Sequence, residues 1–145
     1  MPVVHVNETD DRPGGAANVA VNLASLGVET KLVGVVGDDD AADSLASILD
    51  KRGINCNFHR VHDRPTTTKT RVQSRGQQLV RLDQENTAAL EGDEIVALLR
   101  DCIAGAGAVV LSDYGKGALT NVADMIAECR EAGVPALVDP KGSDF

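Results

Sequence analysis

The sequence predicts an α/β fold, in which a three-layer arrangement places helices on both faces of a parallel sheet and a small antiparallel β flap stands off it. First, 43% of the 145 residues are hydrophobic but only one Tyr and two Phe are aromatic, so Val, Leu, Ile and Ala must build the core. Such a composition suits α/β layers. Second, short apolar runs alternate with helical patterns of about 10 to 15 residues, which favours right-handed βαβ units. Third, one polar hairpin interrupts this alternation. A chain of this length is expected to form one domain.

The first elements follow from local patterns. A helix is predicted to begin after Pro13-Gly14-Gly15 and to end at Gly27, because apolar residues recur between them at helical spacing. Lys31–Val36 is a continuous apolar run, typical of a strand covered on both faces. Ala41–Arg52 is predicted as the second helix, with Gly53 just past its end.

Two further units repeat this order. A helix with apolar residues between Ile95 and Ile103 leads to the strand Ala108–Ser112. A helix between Val122 and Cys129 leads to the strand Pro135–Val138. These units predict further parallel pairing in the same layered fold.

The hairpin is predicted from Thr66–Ser74 and Gln77–Asp83, which flank Arg75-Gly76. Its polar content predicts a flap with one face toward a ligand or partner. Two registers remain open, since a two-residue turn pairs Thr70 with Arg81, whereas a three-residue turn pairs Arg71 with Arg81 and Lys69 with Asp83. The two alternatives place the charges on different faces.

Charge and cysteine content exclude several classes of protein. The net charge of −8 and the pI of about 4.7 argue against binding of nucleic acid or anionic lipid. Cys56, Cys102 and Cys129 contain no C-x-x-C pair and have no nearby histidine at zinc-ligand spacing, so we expect core thiols in a reducing cytoplasm and no metal site. No apolar run is long enough to span a bilayer. A soluble, cytoplasmic protein is therefore expected.

Polar residues follow the predicted strands, where open parallel sheets bind ligands. Three segments qualify: Asp38–Asp40, Asp113–Gly117 and Asp139–Gly142. Their carboxylates could hold sugar hydroxyls, and Lys116 and Lys141 could offset phosphate charge. The alternative is that these residues cap helices and form turns, which is the favoured interpretation for Asp38–Asp40.

Two other groups could contact a ligand. Gly14 and Gly15 allow backbone amides to approach it at a helix N-terminus, and Asn18 lies one turn further on. Turn geometry alone also explains a glycine pair. On the hairpin, Lys69, Arg71 and Arg81 form a basic group that suits a phosphorylated small molecule, or else a solvated surface. Neither a G-x-G-x-x-G nor a P-loop motif is present.

Several segments in order resemble the ribokinase, or PfkB-type, family of carbohydrate kinases. The resemblance is carried by Pro13–Ala20, Leu26-Gly27 and Val33–Asp39. Four more segments are similar to the branch that acts on D-glycero-β-D-manno-heptose 7-phosphate: Thr68–Val72, Gln77–Asp83, Leu111–Gly117 and Asp139–Gly142. In many bacteria that kinase is the first domain of a bifunctional heptose kinase/adenylyltransferase.

The resemblance implies transfer of the γ-phosphate of ATP, with Mg²⁺, to the anomeric hydroxyl of the heptose phosphate, on the path to ADP-heptose for lipopolysaccharide. It implies that Gly14, Gly15 and Asn18 hold sugar hydroxyls. Substrate groups would also include Lys69, Arg71, Arg81, Asp83 and Asp113, while Lys116, Asp139 and Lys141 would lie near phosphate transfer. A homodimer through the β flap is implied too.

The sequence also departs from the family pattern. It has no Gly-Ala-Gly-Asp element, whose Asp is the family's catalytic base in the C-terminal half, and no later Asn-x-x-Glu motif. Residues 1–145 are therefore expected to be the amino-proximal part of a kinase domain, a partial domain that is inactive by itself. Another sugar kinase of the family, or a non-catalytic protein that binds a sugar phosphate or a partner, are the alternatives.

Overall fold

The computed structural model describes residues 3–90 and 92–141, which contain four helices and six strands. In chain order these are α1 (Ala16–Ser25), β1 (Lys31–Gly37), α2 (Asp40–Asp50), β2 (Asn55–Val61), β3 (Thr68–Ser74), β4 (Gln77–Gln84), α3 (Glu94–Ile103), β5 (Val109–Ser112), α4 (Val122–Glu131) and β6 (Ala136–Asp139).

Two parallel strand pairs confirm the predicted α/β class. Strands β1 and β2 pair from Lys31 opposite Asn55 to Gly37 opposite Val61, with α2 between them in the chain. Strands β5 and β6 pair in the same sense, with α4 as the connection. Within the described ranges, each pair forms a separate two-stranded sheet. The sequence patterns did not predict β2, because polar residues interrupt its apolar run.

The helices begin and end close to their predicted limits. Asp39 is the N-cap of α2, and its Oδ1 accepts a hydrogen bond from the amide of Ala42 at 3.0 Å. This is the capping role that was favoured for Asp38–Asp40, and it satisfies one of the amides that every helix start leaves without an internal partner.

The core consists of two apolar clusters on either side of β1. The α1 and α2 cluster contains Ala17, Ala20, Leu49 and Ile54, and Leu32 of β1 packs against it. The other cluster lies between α3, α4 and β5, and its buried members are Ile95, Val96, Leu99, Ile103, Leu111, Met125 and Cys129. Val33 and Val35 of β1 pack against this second cluster. Strand β1 is thus covered on both faces, as its continuous apolar run predicted.

The predicted hairpin forms from β3 and β4, which pair antiparallel. Arg75 and Gly76 have φ angles of 49° and 79°, so the two-residue turn has the left-handed conformation that fits a twisted hairpin. Every residue of β4 is exposed, and the hairpin pairs with neither of the parallel sheets. It therefore stands off the layers as a flap.

A bulge determines the register of the hairpin. Ser74 pairs with Gln77 and Gln73 with Gln78, as a two-residue turn requires, but Val72 then pairs with Val80. The extra residue is Leu79, and beyond it the pairing is the one that a three-residue turn would have produced. The turn itself is therefore the two-residue turn. The charged residues, in contrast, pair as the three-residue alternative predicted.

Candidate functional site

A large cleft opens between α1, β1, the hairpin and the loop that follows β5. Its volume is about 2440 Å³, and its lining includes Gly14, Gly15, Lys69, Arg71, Asp113, Tyr114 and Lys116. Small-molecule pockets usually measure about 300 to 1,000 Å³. The cleft is therefore larger than one ligand needs, and its lining also includes apolar residues of β1, α3 and β5.

The glycine pair lies at the start of α1, beside an aromatic ring. Gly15 is the N-cap of α1 with φ of 54°, a conformation that side chains rarely adopt. A Cβ built on Gly15 would lie 3.6 Å from the ring of Tyr114, whereas one on Gly14 would meet nothing within 4 Å. Tyr114 thus packs against Gly15, and Gly14 faces open space in the cleft.

Asn18 lies in the first turn of α1, where the sequence placed it. Its side chain is exposed, and Asn18 is not among the residues that line the cleft. A role for Asn18 with sugar hydroxyls stays a prediction.

The basic residues of the hairpin share one face. Lys69 is opposite Asp83, and Arg71 is opposite Arg81. Directly opposite residues of antiparallel strands point to the same side, and residues two apart do so as well, so these four side chains are neighbours. Two like charges that face each other are unfavourable unless an anion lies between them.

Two carboxylates connect these cations to the loop after β5. Asp83 lies 3.0 Å from the ammonium of Lys69 and 3.0 Å from Nε of Arg81. Glu85 lies 2.5 Å from the ammonium of Lys116 and 3.5 Å from that of Lys69. The hairpin and the β5–α4 loop are therefore joined by alternating charges, which brings Lys116 next to the basic face.

These ion pairs keep both carboxylates charged. The hydrogen bond from Lys69 lowers the pKa of Asp83, helped by the charge of Arg81. The hydrogen bond from Lys116 lowers the pKa of Glu85 in the same way. Neither Arg71 nor Arg75 makes an ion pair with any residue that the structure describes, and of these two arginines Arg71 is the one on the basic face.

The loop after β5 brings the other predicted residues together. The amide of Asp113 donates to the carbonyl of Asp139 at 2.8 Å, and Oδ1 of Asp113 accepts from the amide of Gly115 at 2.7 Å. The ammonium of Lys141 donates to the carbonyl of Tyr114 at 3.2 Å. Asp113 thus shapes its own loop, which matches the turn-forming alternative, and Lys141 lies across that loop. Gly142 falls outside the described residues.

Sequence reasoning missed three residues of this region: Arg64, Glu85 and Tyr114. Glu85 could have been found, because Arg81, Asp83 and Glu85 follow one another at the two-residue spacing of a single strand face. Tyr114 is the single tyrosine of the chain. Arg64 carried no signal, since an arginine before a proline is typical of exposed loops.

Neither a membrane-spanning helix nor a metal-ligand cluster occurs in the part of the chain that the structure describes. None of its helices is long and apolar enough to cross a bilayer. No three His, Cys, Asp or Glu side chains of residues 3–90 and 92–141 are grouped as metal ligands would be.

Comparison with known proteins places the chain in a family. The profile described as "pfkB family carbohydrate kinase" matches residues 1–145. The chain is 51% identical to the "Bifunctional protein HldE" of Edwardsiella ictaluri and 50% identical to that of Coxiella burnetii, in each case over 100% of this chain and 31% of the relative. It therefore spans about a third of the curated relatives that it matches.

A solved structure supports the same assignment. The ribokinase of Arabidopsis thaliana, solved in complex with ribose and ATP, superimposes with a TM-score of 0.65 and 27% identity. The match covers 92% of this chain and 43% of the ribokinase. Since the family profile spans the whole sequence and the fold is ribokinase-like, the chain belongs to the pfkB family of carbohydrate kinases.

Proposed function

We propose that this chain forms the amino-proximal part of a kinase domain that phosphorylates the anomeric hydroxyl of D-glycero-β-D-manno-heptose 7-phosphate. The product is the 1,7-bisphosphate, a precursor of ADP-heptose for the lipopolysaccharide core. The identity of 51% with a bifunctional HldE protein supports this choice among sugar kinases. Because the chain spans 31% of that relative, the activity is proposed for the natural full-length gene product.

One observation supports a phosphorylated substrate above all. Arg71 and Arg81 are directly opposite on the hairpin, on the face that also holds Lys69. A phosphate between the two guanidinium groups would turn a repulsive pair into two charge-assisted contacts, for which arginine has suitable bidentate geometry. We assign the 7-phosphate to this position.

The remaining predicted residues have a place in the same proposal. Gly14, Gly15 and Asn18 would bind sugar hydroxyls at the start of α1. Lys116, which Glu85 holds beside the hairpin, would approach the transferring phosphoryl group, together with Lys141. Asp83 and Asp113 fix neighbouring groups, as their hydrogen bonds indicate.

ATP and Mg²⁺ are the proposed cofactors. Lys116 and Lys141 are cations whose charge fits the phosphates of ATP, and such positioning supplies much of the catalysis in phosphoryl transfer. The residues described in the structure contain no group of carboxylates that fits Mg²⁺. We therefore assign no residue of this chain to the metal.

We also propose a homodimer through the flap. Val80 and Leu82 alternate with Arg81 and Asp83, so they lie on the opposite face of β4, and they are 42% and 58% exposed. Two such apolar faces could cover each other and leave both basic faces free. Leu82→Ser should then convert a dimer into a monomer in sedimentation equilibrium; an unchanged mass would argue against this interface.

A substrate panel tests the proposed activity. The natural full-length gene product would be assayed with ATP and heptose 7-phosphate, unphosphorylated heptose, fructose 6-phosphate and ribose, with products identified by ³¹P NMR. We expect the heptose 7-phosphate to be preferred. A preference for ribose or for unphosphorylated heptose would instead identify another sugar kinase of the family, and no turnover of any sugar would favour a non-catalytic binding protein.

The assay gains precision from a matched pair of variants. Arg71→Ala should lower the preference for phosphorylated over free heptose by about 10- to 100-fold, the value of a charged hydrogen bond. Arg75→Asn removes the same charge from the same hairpin but keeps a residue that tolerates the left-handed turn. It should leave the preference unchanged. If both variants behave alike, Arg71 does not bind the phosphate.

A further inference from the structure

Arg64 is a buried arginine at the base of the hairpin, between β2 and β3. Only 8% of Arg64 is exposed. Since arginine is almost never buried without partners, its guanidinium is expected to have several. Its guanidinium has five N–H donors in a rigid fork, so it can bind several acceptors on different segments at once.

The guanidinium donates to three main-chain carbonyls from two separate segments. Two belong to the segment that leaves the hairpin: Asn86 at 2.7 Å and Ala88 at 3.1 Å. The third is the carbonyl of Lys116, in the loop after β5. All three acceptors are neutral, so these contacts satisfy three of the five N–H donors of Arg64 without cancelling its charge.

The main chain of Arg64 is itself held in place. A Cβ on Gly37, at the end of β1, would lie 2.4 Å from the carbonyl oxygen of Arg64, so the two segments touch. Two residues later, the hydroxyl of Thr66 accepts a hydrogen bond from the amide of Gly37 at 2.8 Å. Arg64 therefore extends its side chain from a fixed point on the body of the protein.

The carbonyl groups that accept hydrogen bonds from Arg64 are also closely packed. A Cβ on Gly117 would lie 2.3 Å from the carbonyl oxygen of Ala88 and 3.2 Å from Nη2 of Arg64. Lys116 is bound at both ends, since its carbonyl accepts from Arg64 and its ammonium pairs with Glu85. The base of the hairpin and the β5–α4 loop thus meet around one guanidinium.

We propose that Arg64 is a positioning residue for phosphoryl transfer: its guanidinium fastens the base of the hairpin to the β5–α4 loop and so holds Lys116 beside the basic face of the hairpin. It touches neither substrate nor phosphate. This inference rests on the proposed function only for its kinetic consequence, because the fastening itself follows from the three hydrogen bonds.

Hydrogen exchange and kinetics together test the proposal in the natural full-length gene product. Arg64→Met removes every N–H donor of the guanidinium and keeps an unbranched side chain. Arg64→Lys keeps the positive charge, but its single ammonium cannot reach three carbonyls on two segments. The control is Arg60→Met, which removes an exposed arginine of β2 whose partners are the carboxylates of Asp38 and Asp43. Arg64→Lys keeps the test valid if Arg64→Met does not fold.

Amide exchange measures, without any substrate, how firmly Arg64 holds the hairpin against the β5–α4 loop. We expect peptides covering residues 68–84 and 113–120 to exchange at least about tenfold faster in both Arg64 variants, since buried hydrogen bonds to a charged group are lost. Peptides covering residues 31–37, and all peptides of Arg60→Met, should exchange as in the parent protein. Unchanged exchange of the hairpin, or an equal increase throughout the protein, would overturn the proposal.

The kinetic measurement separates positioning from simple loss of folded enzyme. A smaller folded fraction lowers kcat and leaves both KM values unchanged. Movement of the hairpin away from Lys116 should instead raise the KM for the sugar phosphate by about fivefold or more, because the hairpin is the proposed site of the 7-phosphate. An unchanged KM for the sugar phosphate would contradict the positioning role. If the parent protein phosphorylates no sugar, the proposed function fails, and the exchange data still decide whether Arg64 fastens the hairpin.

Discussion

The carboxylate of Asp39 accepts two hydrogen bonds from Thr66: Oδ2 from the main-chain amide at 2.8 Å, and Oδ1 from the hydroxyl at 2.6 Å. Asp39 is also the N-cap of α2, and Thr66 lies two residues before β3, the first strand of the hairpin. Since Thr66 accepts a further hydrogen bond from Gly37, this pair joins β1, α2 and the hairpin at one point. The hydrogen bonds between Asp39 and Thr66 therefore help to attach the hairpin to the helices and strands of the layers.

Replacement of Asp39 should loosen that point. Asp39→Ala removes a helix cap and leaves the nearly buried donors of Thr66 without an acceptor, which together should cost about 2 to 4 kcal/mol. Amide exchange of peptides covering residues 37–50 and 66–74 measures this local free energy of opening. Asp38→Ala is the control, because its contacts to Arg60 and His62 are exposed and longer, at 3.7 and 3.8 Å. It should cost less than about 1 kcal/mol; an equal loss in both variants would count against the special role of Asp39.

The same carboxylate predicts a dependence on pH. Partial burial acts to raise the pKa of Asp39, but the hydrogen bonds from Thr66 and Ala42 outweigh it, so the pKa lies below its usual value. A depressed pKa contributes stability above the unfolded-state value of about 3.9, and that contribution is lost as the pH falls further through the folded-state pKa. The difference in opening free energy between the parent protein and Asp39→Asn should therefore be present at pH 7 and shrink toward pH 3. A difference that stays constant over this range would contradict the prediction.

Those parts of the fold that depend on apolar periodicity were predictable from the sequence. Strand β1 and helix α3 have patterns that local physics translates directly into structure, and both occur as expected. Strand β2 was missed because its sequence, Asn55–Val61, mixes polar and apolar residues. The register of the hairpin could not be predicted either, because no local sequence pattern identifies Leu79 as the bulged residue.

The sequence offered candidate site residues but not the contacts between them. Lys69 and Lys116 were both identified, yet their connection through Glu85 depends on how the hairpin folds back over the loop after β5. Arg64 was not identified at all, since its partners are main-chain carbonyls, which every sequence contains. Contacts of this kind arise from tertiary structure and leave no residue pattern.

The close approach of Gly117 to Ala88 predicts an unusually damaging alanine substitution. Gly117→Ala would strain a residue with φ of 80° and place a methyl group 2.3 Å from the carbonyl oxygen of Ala88. Gly133→Ala is the matched control, because Gly133 has a similar φ of 68° but no heavy atom within 4 Å of its Cβ position. Both should lose about 1 to 2 kcal/mol from backbone strain. Gly117→Ala should lose at least about 1 kcal/mol more from overpacking, measured by exchange of residues 84–90; equal losses would mean that the hairpin base yields to the methyl group.

Asn18 offers the sharpest test of the sugar site, because it is predicted to contact the sugar and its side chain is exposed. Its side chain is exposed in the first turn of α1, so Asn18→Ala should leave the stability unchanged within about 0.5 kcal/mol. Loss of an amide that both donates to and accepts from hydroxyls should raise the KM for the sugar about tenfold, while the KM for ATP stays the same. Asn22→Ala, one turn further along the same helix and also exposed, should change neither value. If Asn18→Ala raised both KM values equally, Asn18 would affect the site as a whole, and the sugar would have to be bound through Gly14, Gly15 and the hairpin instead.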